Sequence, residues 1–322
     1  MKSILFSLLF LLISNIGFSQ VSVNNELIIA IEDKLVYLDS TNLETKSKDY
    51  AYVRVIKGSK LKQESYVVQE YYRSGVMRMQ GTSKNSSGYS YEGEVTNYYK
   101  NGTKKAVTNY IKGRVNGICH QWYENGTKKL EGENIEDEKK KTSILKINQF
   151  WDLNGVQKVV DGNGFFEDKD EKESSKGEIK NGFKEGTWEG LFFKLKYPYK
   201  EIYTNGKLIS GRSWDENNTF YIYTEVTVKP TPRNGMADFY SYIAKNYRLP
   251  SVQGLSGKVF VTFVVDKDGK IVEPKILRDI GYGTGQEALR ILPHYDGFSP
   301  AEERGQKVRC SYSLPITLQG PN

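Results

Sequence analysis

Apolar and polar residues alternate through much of the first two thirds of the chain, as in Ala51-Tyr52-Val53-Arg54-Val55. Alternation with period two marks a strand that buries one face, so this region predicts β-structure. A short unit recurs within it: two aromatic residues, one or two polar residues and a glycine. It appears as Tyr71-Tyr72-Arg73-Ser74-Gly75, Tyr98-Tyr99-Lys100-Asn101-Gly102 and Trp122-Tyr123-Glu124-Asn125-Gly126. Looser copies are Phe150-Trp151-Asp152-Leu153-Asn154-Gly155 and Tyr203-Thr204-Asn205-Gly206. The glycines at 75, 102, 126 and 155 are 27, 24 and 29 residues apart. Such a period describes one supersecondary unit stacked on its copies.

The chemistry of the unit predicts a hairpin. Asn-Gly tolerates positive φ, so a type I′ turn is expected there, with the aromatics on one arm and lysines or β-branched residues on the other. A second set of breakers, Lys112-Gly113-Arg114-Val115-Asn116-Gly117 and Asn181-Gly182-Phe183-Lys184-Glu185-Gly186, is placed to join one hairpin to the next. One hairpin cannot bury its own apolar face, so neighbours must stack. These residues resemble MORN-type repeats over roughly residues 50 to 212, with residues 21 to 70 as the opening strands of the same module. That resemblance implies a surface for proteins or lipids, with the motif residues mostly architectural. Four Asn-x-Ser/Thr sequons, at Asn85, Asn101, Asn125 and Asn217, are explained by turn chemistry.

The pattern changes near residue 225. Lys229-Pro230-Thr231-Pro232 predicts a short stiff linker. Phe239, Tyr242, Ile243 and Tyr247 then fall at helical spacing, and this helix should stop before Pro250. From Lys258 to Asp266 a strand is expected, with Val259, Val261, Phe263 and Val265 on one face and Phe260, Thr262 and Val264 on the other. Both faces are apolar, so each should be covered. Asp266-Lys267-Asp268-Gly269 turns the chain into a second strand, Ile271 to Leu277. A second helix carries Ala288, Leu289, Ile291 and Leu292. A last strand places Val308, Cys310, Tyr312 and Leu314 on one face and Arg309, Ser311 and Ser313 on the other. This helix-β-β-helix-β order, with Gly257 to Val265, Asp268-Gly269, Phe298-Ser299-Pro300-Ala301 and Gly305, resembles the TonB C-terminal domain over about residues 230 to 319. The expected fold is therefore a mainly β module of stacked hairpins, residues 20 to 224, followed by a small α+β domain, residues 225 to 322.

The TonB resemblance implies a periplasmic domain that captures an extended segment of an outer-membrane receptor, or of another envelope protein, beside its last strand. The docking edge would be Lys307, Val308, Arg309, Cys310, Ser311, Tyr312, Ser313 and Leu314, with the backbone supplying the hydrogen bonds. A TonB energy transducer has a membrane helix and a long Pro-rich spacer ahead of this domain. Here that place holds repeats, and the whole chain has only 9 Pro.

Composition narrows the picture. Lys2 followed by the apolar run Ile4 to Ile13, then Gly17-Phe18-Ser19, predicts a cleavable signal peptide over residues 1 to 19. The run is well short of the ~20 residues of a spanning helix. An exported, periplasmic protein of a Gram-negative bacterium is expected. The alternative is an energy transducer held to the inner membrane by a retained N-terminal segment, the only route to membrane association. The formal net charge of +7 is spread among acids and bases, and the runs 136 to 141 and 167 to 176 self-neutralise as solvated loops. Nucleic acid is not an expected partner. The basic balance and aromatic hairpins leave peptidoglycan as a further candidate. Cys119 and Cys310 each sit in an alternating pattern and read as small buried residues.

Nothing points to catalysis, a cofactor or a metal. Asp279-Ile280-Gly281-Tyr282-Gly283-Thr284-Gly285 lacks the spacing of a dinucleotide loop and reads as a turn that opens a helix. Asp266-x-Asp268-Gly269 lacks the further ligands of a calcium loop. His120 and His294 are the only histidines, too few for a zinc cluster.

Overall fold

The computed structural model describes residues 29–137, 142–193 and 196–320. The predicted signal peptide lies outside the described residues. Sixteen strands follow one another as β1 (Lys34–Leu38), β2 (Tyr52–Ile56), β3 (Tyr66–Tyr72), β4 (Met77–Ser83), β5 (Gly93–Tyr98) and β6 (Lys104–Ile111). Next come β7 (Arg114–Trp122), β8 (Lys128–Asp137), β9 (Thr142–Trp151), β10 (Gln157–Val160) and β11 (Asn163–Lys169). The series closes with β12 (Glu173–Lys180), β13 (Phe183–Phe192), β14 (Tyr197–Thr204), β15 (Lys207–Trp214) and β16 (Phe220–Tyr223). They form one sheet in which each strand neighbours the next in sequence. Contacts divide the chain into two compact units, Met1–Glu167 with Glu178–Lys184, and Asp168–Gly177 with Glu185–Asn322.

Within the first unit the repeated hairpins take a different turn from the one expected. Gly102 donates to Tyr99 O at 3.0 Å and Tyr99 donates to Thr103 O at 2.8 Å. Only the glycines enter the left-handed region, with φ of +87°, +86°, +86° and +79° at 75, 102, 126 and 155, while Asn101 and Asn125 stay out of it. Each is a type I turn completed by a left-handed glycine, which leaves a bulge and a register shift, as between Asn97 and Tyr98. The asparagines serve through their side chains: Asn101 Oδ1 accepts from Thr103 N at 3.0 Å and Asn125 Oδ1 from Thr127 N at 2.9 Å. True type I′ geometry, with both central residues at positive φ, occurs at Lys112-Gly113, Asp161-Gly162 and Asn181-Gly182. Two-residue loops thus join β6 to β7, β10 to β11 and β12 to β13, and three-residue loops close the hairpins at Gly75, Gly102, Gly126 and Gly155. The last copy, Asn205-Gly206, has both residues at positive φ, as expected of a type I′ turn.

The repeat also explains how neighbours register. The second aromatic of each of the first three pairs donates its hydroxyl to the carbonyl of the residue four positions before the next turn glycine. Tyr72 reaches Tyr98 O at 2.8 Å, Tyr99 reaches Trp122 O at 2.8 Å and Tyr123 reaches Trp151 O at 3.0 Å. The ladder ends where the fourth copy carries Asp152 in place of tyrosine. Its carboxylate turns onto its own loop, accepting from Asn154 N at 3.0 Å and Val156 N at 2.9 Å. Lysines after the turns at Gly102 and Gly126 lie over the rings, Lys104 5.5 Å from Trp122 and Lys128 5.1 Å from Trp151. Tyr99→Phe is expected to lower stability by about 1 kcal/mol, because it leaves the Trp122 carbonyl without this donor. Denaturant unfolding measures it, and a triple Tyr→Phe variant at 72, 99 and 123 should roughly sum the losses.

The second unit contains the last strands of the sheet and the α+β region. Strand β14 alternates without exception, burying Tyr197, Tyr199, Glu201 and Tyr203 and exposing the residues between. The chain then runs through β17 (Thr227–Val228), β18 (Thr231–Pro232), α1 (Gly235–Asn246), β19 (Ser256–Val265) and β20 (Ile271–Arg278). After these come α2 (Thr284–Ile291), a 3-10 turn over Leu292–His294, β21 (Phe298–Ser299), β22 (Ala301–Glu303), β23 (Gln306–Val308) and β24 (Cys310–Gln319). The helices and long strands match the expected helix-β-β-helix-β order, while the five short strands were not anticipated. The expected stiff linker is part of the body of this unit: Pro230 and Pro232 are buried, and Thr231–Pro232 pairs with Phe298–Ser299.

One core fills this region. Val259, Val261, Phe263 and Val265 face it with Phe239, Ile243, Ala288, Ile291, Leu292, Phe298, Leu314, Ile316 and Leu318. The opposite face of β19 was expected to be covered as well. Phe260, Thr262 and Val264 are instead half-buried, flanked by Ser311, Ser313 and Pro315 across β24. One covered face suffices for an antiparallel sheet.

Candidate docking edge

The sheet β20-β19-β24 places β24 at an edge. Its register with β19 is unbroken, from Val265 opposite Cys310 to Ser256 opposite Gln319. Among the described residues no strand pairs with the other side of β24, so ten residues of backbone present one unpaired row of donors and acceptors.

The eight residues expected on this edge divide into two groups. Lys307 and Val308 lie in β23, which pairs with β22 in a separate small sheet, and Arg309 falls between strands. Cys310, Ser311, Tyr312, Ser313 and Leu314 lie in β24, which runs on to Gln319. The expected apolar face is also displaced along the strand: the buried residues are Leu314, Ile316 and Leu318. Tyr312 stacks on Phe263 with centroids 5.2 Å apart and planes at 15°, so it packs inward. Ser311 and Ser313 are exposed. Cys310 is only partly buried, unlike Cys119, and both are free thiols. Arg309 ion-pairs with Glu273 of β20.

Pro315 gives this edge a direction. Proline cannot donate to a ladder and is tolerated in an edge strand where its nitrogen faces away from the neighbour. Backbone groups in an antiparallel strand alternate sides, so the nitrogens of Ser311, Ser313, Thr317 and Gln319 face the same free side as Pro315. The run of free N–H groups is interrupted at 315.

The β22–β23 turn that precedes this edge is held by a buried charge that sequence patterning missed. Arg304 and Gly305 form the two-residue turn between β22 and β23, both at positive φ. Arg304 is 4% exposed. Its Nε donates to Glu201 Oε1 at 3.0 Å and its Nη2 to Glu173 Oε2 at 2.7 Å. The Tyr199 ring lies 3.7 Å below it. Glu201, wholly buried, also accepts from Tyr203 at 2.9 Å and Tyr223 at 2.8 Å. Burial alone would lower the pKa of Arg304, but Glu201 and Glu173 more than offset it and push the pKa up. Burial, then the charge of Glu201, pushes the Tyr203 and Tyr223 phenols up, so both stay protonated donors. The backbone joins in: Ser213 Oγ donates to Arg304 O at 2.8 Å and Arg304 N to Val226 O at 2.6 Å. The run 167 to 176 was expected as a solvated loop. Instead it forms the end of β11, a turn and the start of β12, and its Glu173 belongs to this cluster.

The two loops that suggested ligand chemistry are turns. Asp266 Oδ1 accepts from the amides of Asp268 and Lys270, both at 2.9 Å. Asp279 Oδ1 accepts from Gly281 N at 3.1 Å at the opening of α2. No helix among the described residues is long and apolar enough to cross a membrane.

With this geometry in place, comparison with known proteins is informative for one segment. Residues 251–318 match the family described as Gram-negative bacterial TonB protein C-terminal. The match runs from ahead of β19, through α2, to the penultimate residue of β24, so all of the candidate edge but Gln319 lies inside it. That family is a non-enzymatic transport-coupling domain of the Gram-negative envelope. No curated protein and no solved structure matches the chain.

Proposed function

We propose that this protein is a non-catalytic component of the Gram-negative envelope, exported to the periplasm, whose C-terminal unit binds an extended segment of an outer-membrane transport partner by strand addition to β24. The observation that carries the reading is an edge strand within the segment similar to the TonB C-terminal family. Main-chain bonds to Ser311 and Ser313 supply affinity, and the outer sheet face, with Phe260, Thr262 and Val264, reads alternate side chains of the added strand. The hairpin sheet serves as a second docking surface of the same protein.

The test is titration of the full-length, isotope-labelled protein with synthetic peptides from the periplasmic N-termini of outer-membrane receptors. Saturable shifts are expected at the Ser311 and Ser313 amides, with small changes in the first unit. A titration that leaves Cys310 to Leu314 unmoved, while shifts gather elsewhere or nowhere, overturns the proposal.

A further inference from the structure

A second charged cluster, within the first unit, is incompletely satisfied. Arg54 on β2 stands opposite Glu70 on β3. Its Nε and Nη2 donate to Glu70 Oε1 at 2.9 and 2.6 Å, and Arg78 of β4 donates to Glu70 Oε2. Two guanidiniums thus share one carboxylate, leaving one positive charge uncompensated. Arg54 is 5% exposed, and its Nη1 is buried without any hydrogen-bond partner. A buried donor in that state is costly, and more so on a charged group. Contrast Arg304, where three carboxylates, of Glu173, Glu201 and Glu303, meet one guanidinium.

The Tyr52 ring covers Arg78 at 3.8 Å, and the Tyr89 ring lies over Arg54. Tyr89 lies with its ring 4.4 Å from the Arg54 guanidinium carbon, yet it is 54% exposed. It sits in the loop between β4 and β5, longer than the two-residue turn at Lys112-Gly113 that joins the next hairpins. This loop is shaped by its own polar groups: Asn85 Oδ1 accepts from Ser87 Oγ at 2.7 Å and Tyr89 N at 3.3 Å, and Ser83 Oγ donates to Asn85 O at 3.0 Å. Rotation of the Tyr89 ring therefore breaks no bond between strands.

We propose that Arg54 and Arg78 form a carboxylate-binding site closed by Tyr89. One uncompensated charge matches one monoanion. A planar carboxylate fits the flat edge of a guanidinium, taking parallel N–H donors. The Tyr89 ring can then close over the pair, where exclusion of water strengthens the contact. A phosphate dianion would overcompensate the charge and is too thick for a site closed by one stacked ring. The inference is independent of the edge-strand reading.

The experiment follows the arginine Nε–Hε signals of the full-length protein during titration with sodium formate, against chloride and phosphate at matched pH and ionic strength. The Arg54 signal is assigned by its loss in Arg54→Lys. A saturable shift of Arg54 with formate alone is expected. Tyr89→Ala, which alters an exposed side chain, should weaken formate binding about fivefold by removing the stacked cover. Phosphate matching formate, or no saturable shift in the wild type, overturns the proposal and leaves a water-satisfied structural arginine. Unchanged affinity in Tyr89→Ala removes the closing role of Tyr89 and overturns the proposal as stated.

Discussion

Replacing Arg304 by methionine is expected to destabilise the C-terminal unit by about 3–5 kcal/mol, the range for stranding a buried charge. Glu201 is wholly buried, and the substitution removes its cationic partner while leaving the carboxylate in place. Two tyrosine hydroxyls remain to it, so it keeps hydrogen bonds but loses charge compensation. Glu201→Gln provides the contrast. It removes the charge but keeps the shape, and Arg304 retains Glu173 at 2.7 Å and Glu303 at 3.7 Å. Its cost should be nearer 1–3 kcal/mol, that of a disturbed hydrogen-bond group. Calorimetry is the measurement, with the transition of the second unit falling and that of the first unchanged. If Arg304→Met melts with the wild type, the cluster is not what fixes the β22–β23 turn. A fragment beginning at 225 would omit Glu173, Glu201 and Ser213 together and should be less stable still.

Ser313→Pro is the second large effect, this time on binding. The Ser313 nitrogen faces the free side of β24, as that of Pro315 does, so proline there removes a donor that β19 does not use. Stability should change by less than about 1 kcal/mol, as for exposed substitutions that disturb no packing. Affinity for a captured strand should fall at least about tenfold, since one donor is lost and the ring obstructs the approaching backbone. Ser313→Ala keeps the N–H and should bind as the wild type does, which separates backbone recognition from a role of the hydroxyl. Full binding by Ser313→Pro would mean that the partner does not add to this edge.

These expectations show how unevenly the candidate site can be read from the chain. The strand was visible in the alternation of Val308, Cys310, Tyr312 and Leu314, but its start was misplaced. Arg309 interrupts it, and the preceding three residues belong to another pair of strands. Local alternation continues across such a break because both strands bury alternate residues, and nothing in the pattern says which neighbour each will pair with. Tyr312 shows the same limit: its alternation is right, but only the stacked Phe263 shows that it belongs to the core. The turns were placed correctly, but the expected type I′ geometry is found at Asn205-Gly206 and not at Gly75, Gly102, Gly126 or Gly155. Asn-Gly suits a two-residue loop, and whether it closes two or three residues depends on the bulge the flanking strands accept.

The sequence by itself determined what is periodic or local. Its aromatic–polar–glycine unit set the hairpins and their spacing, its alternation set the strands, and its breakers set where they turn, because these depend on residues a few positions apart. The tertiary structure alone decided which distant residues share a site: Arg304 with Glu173 and Glu201, Arg54 with Glu70 and Arg78, and the edge position of β24. A charged residue reads as surface in a sequence, since burial is costly for it, and only long-range packing supplies the opposite charge that makes burial tolerable.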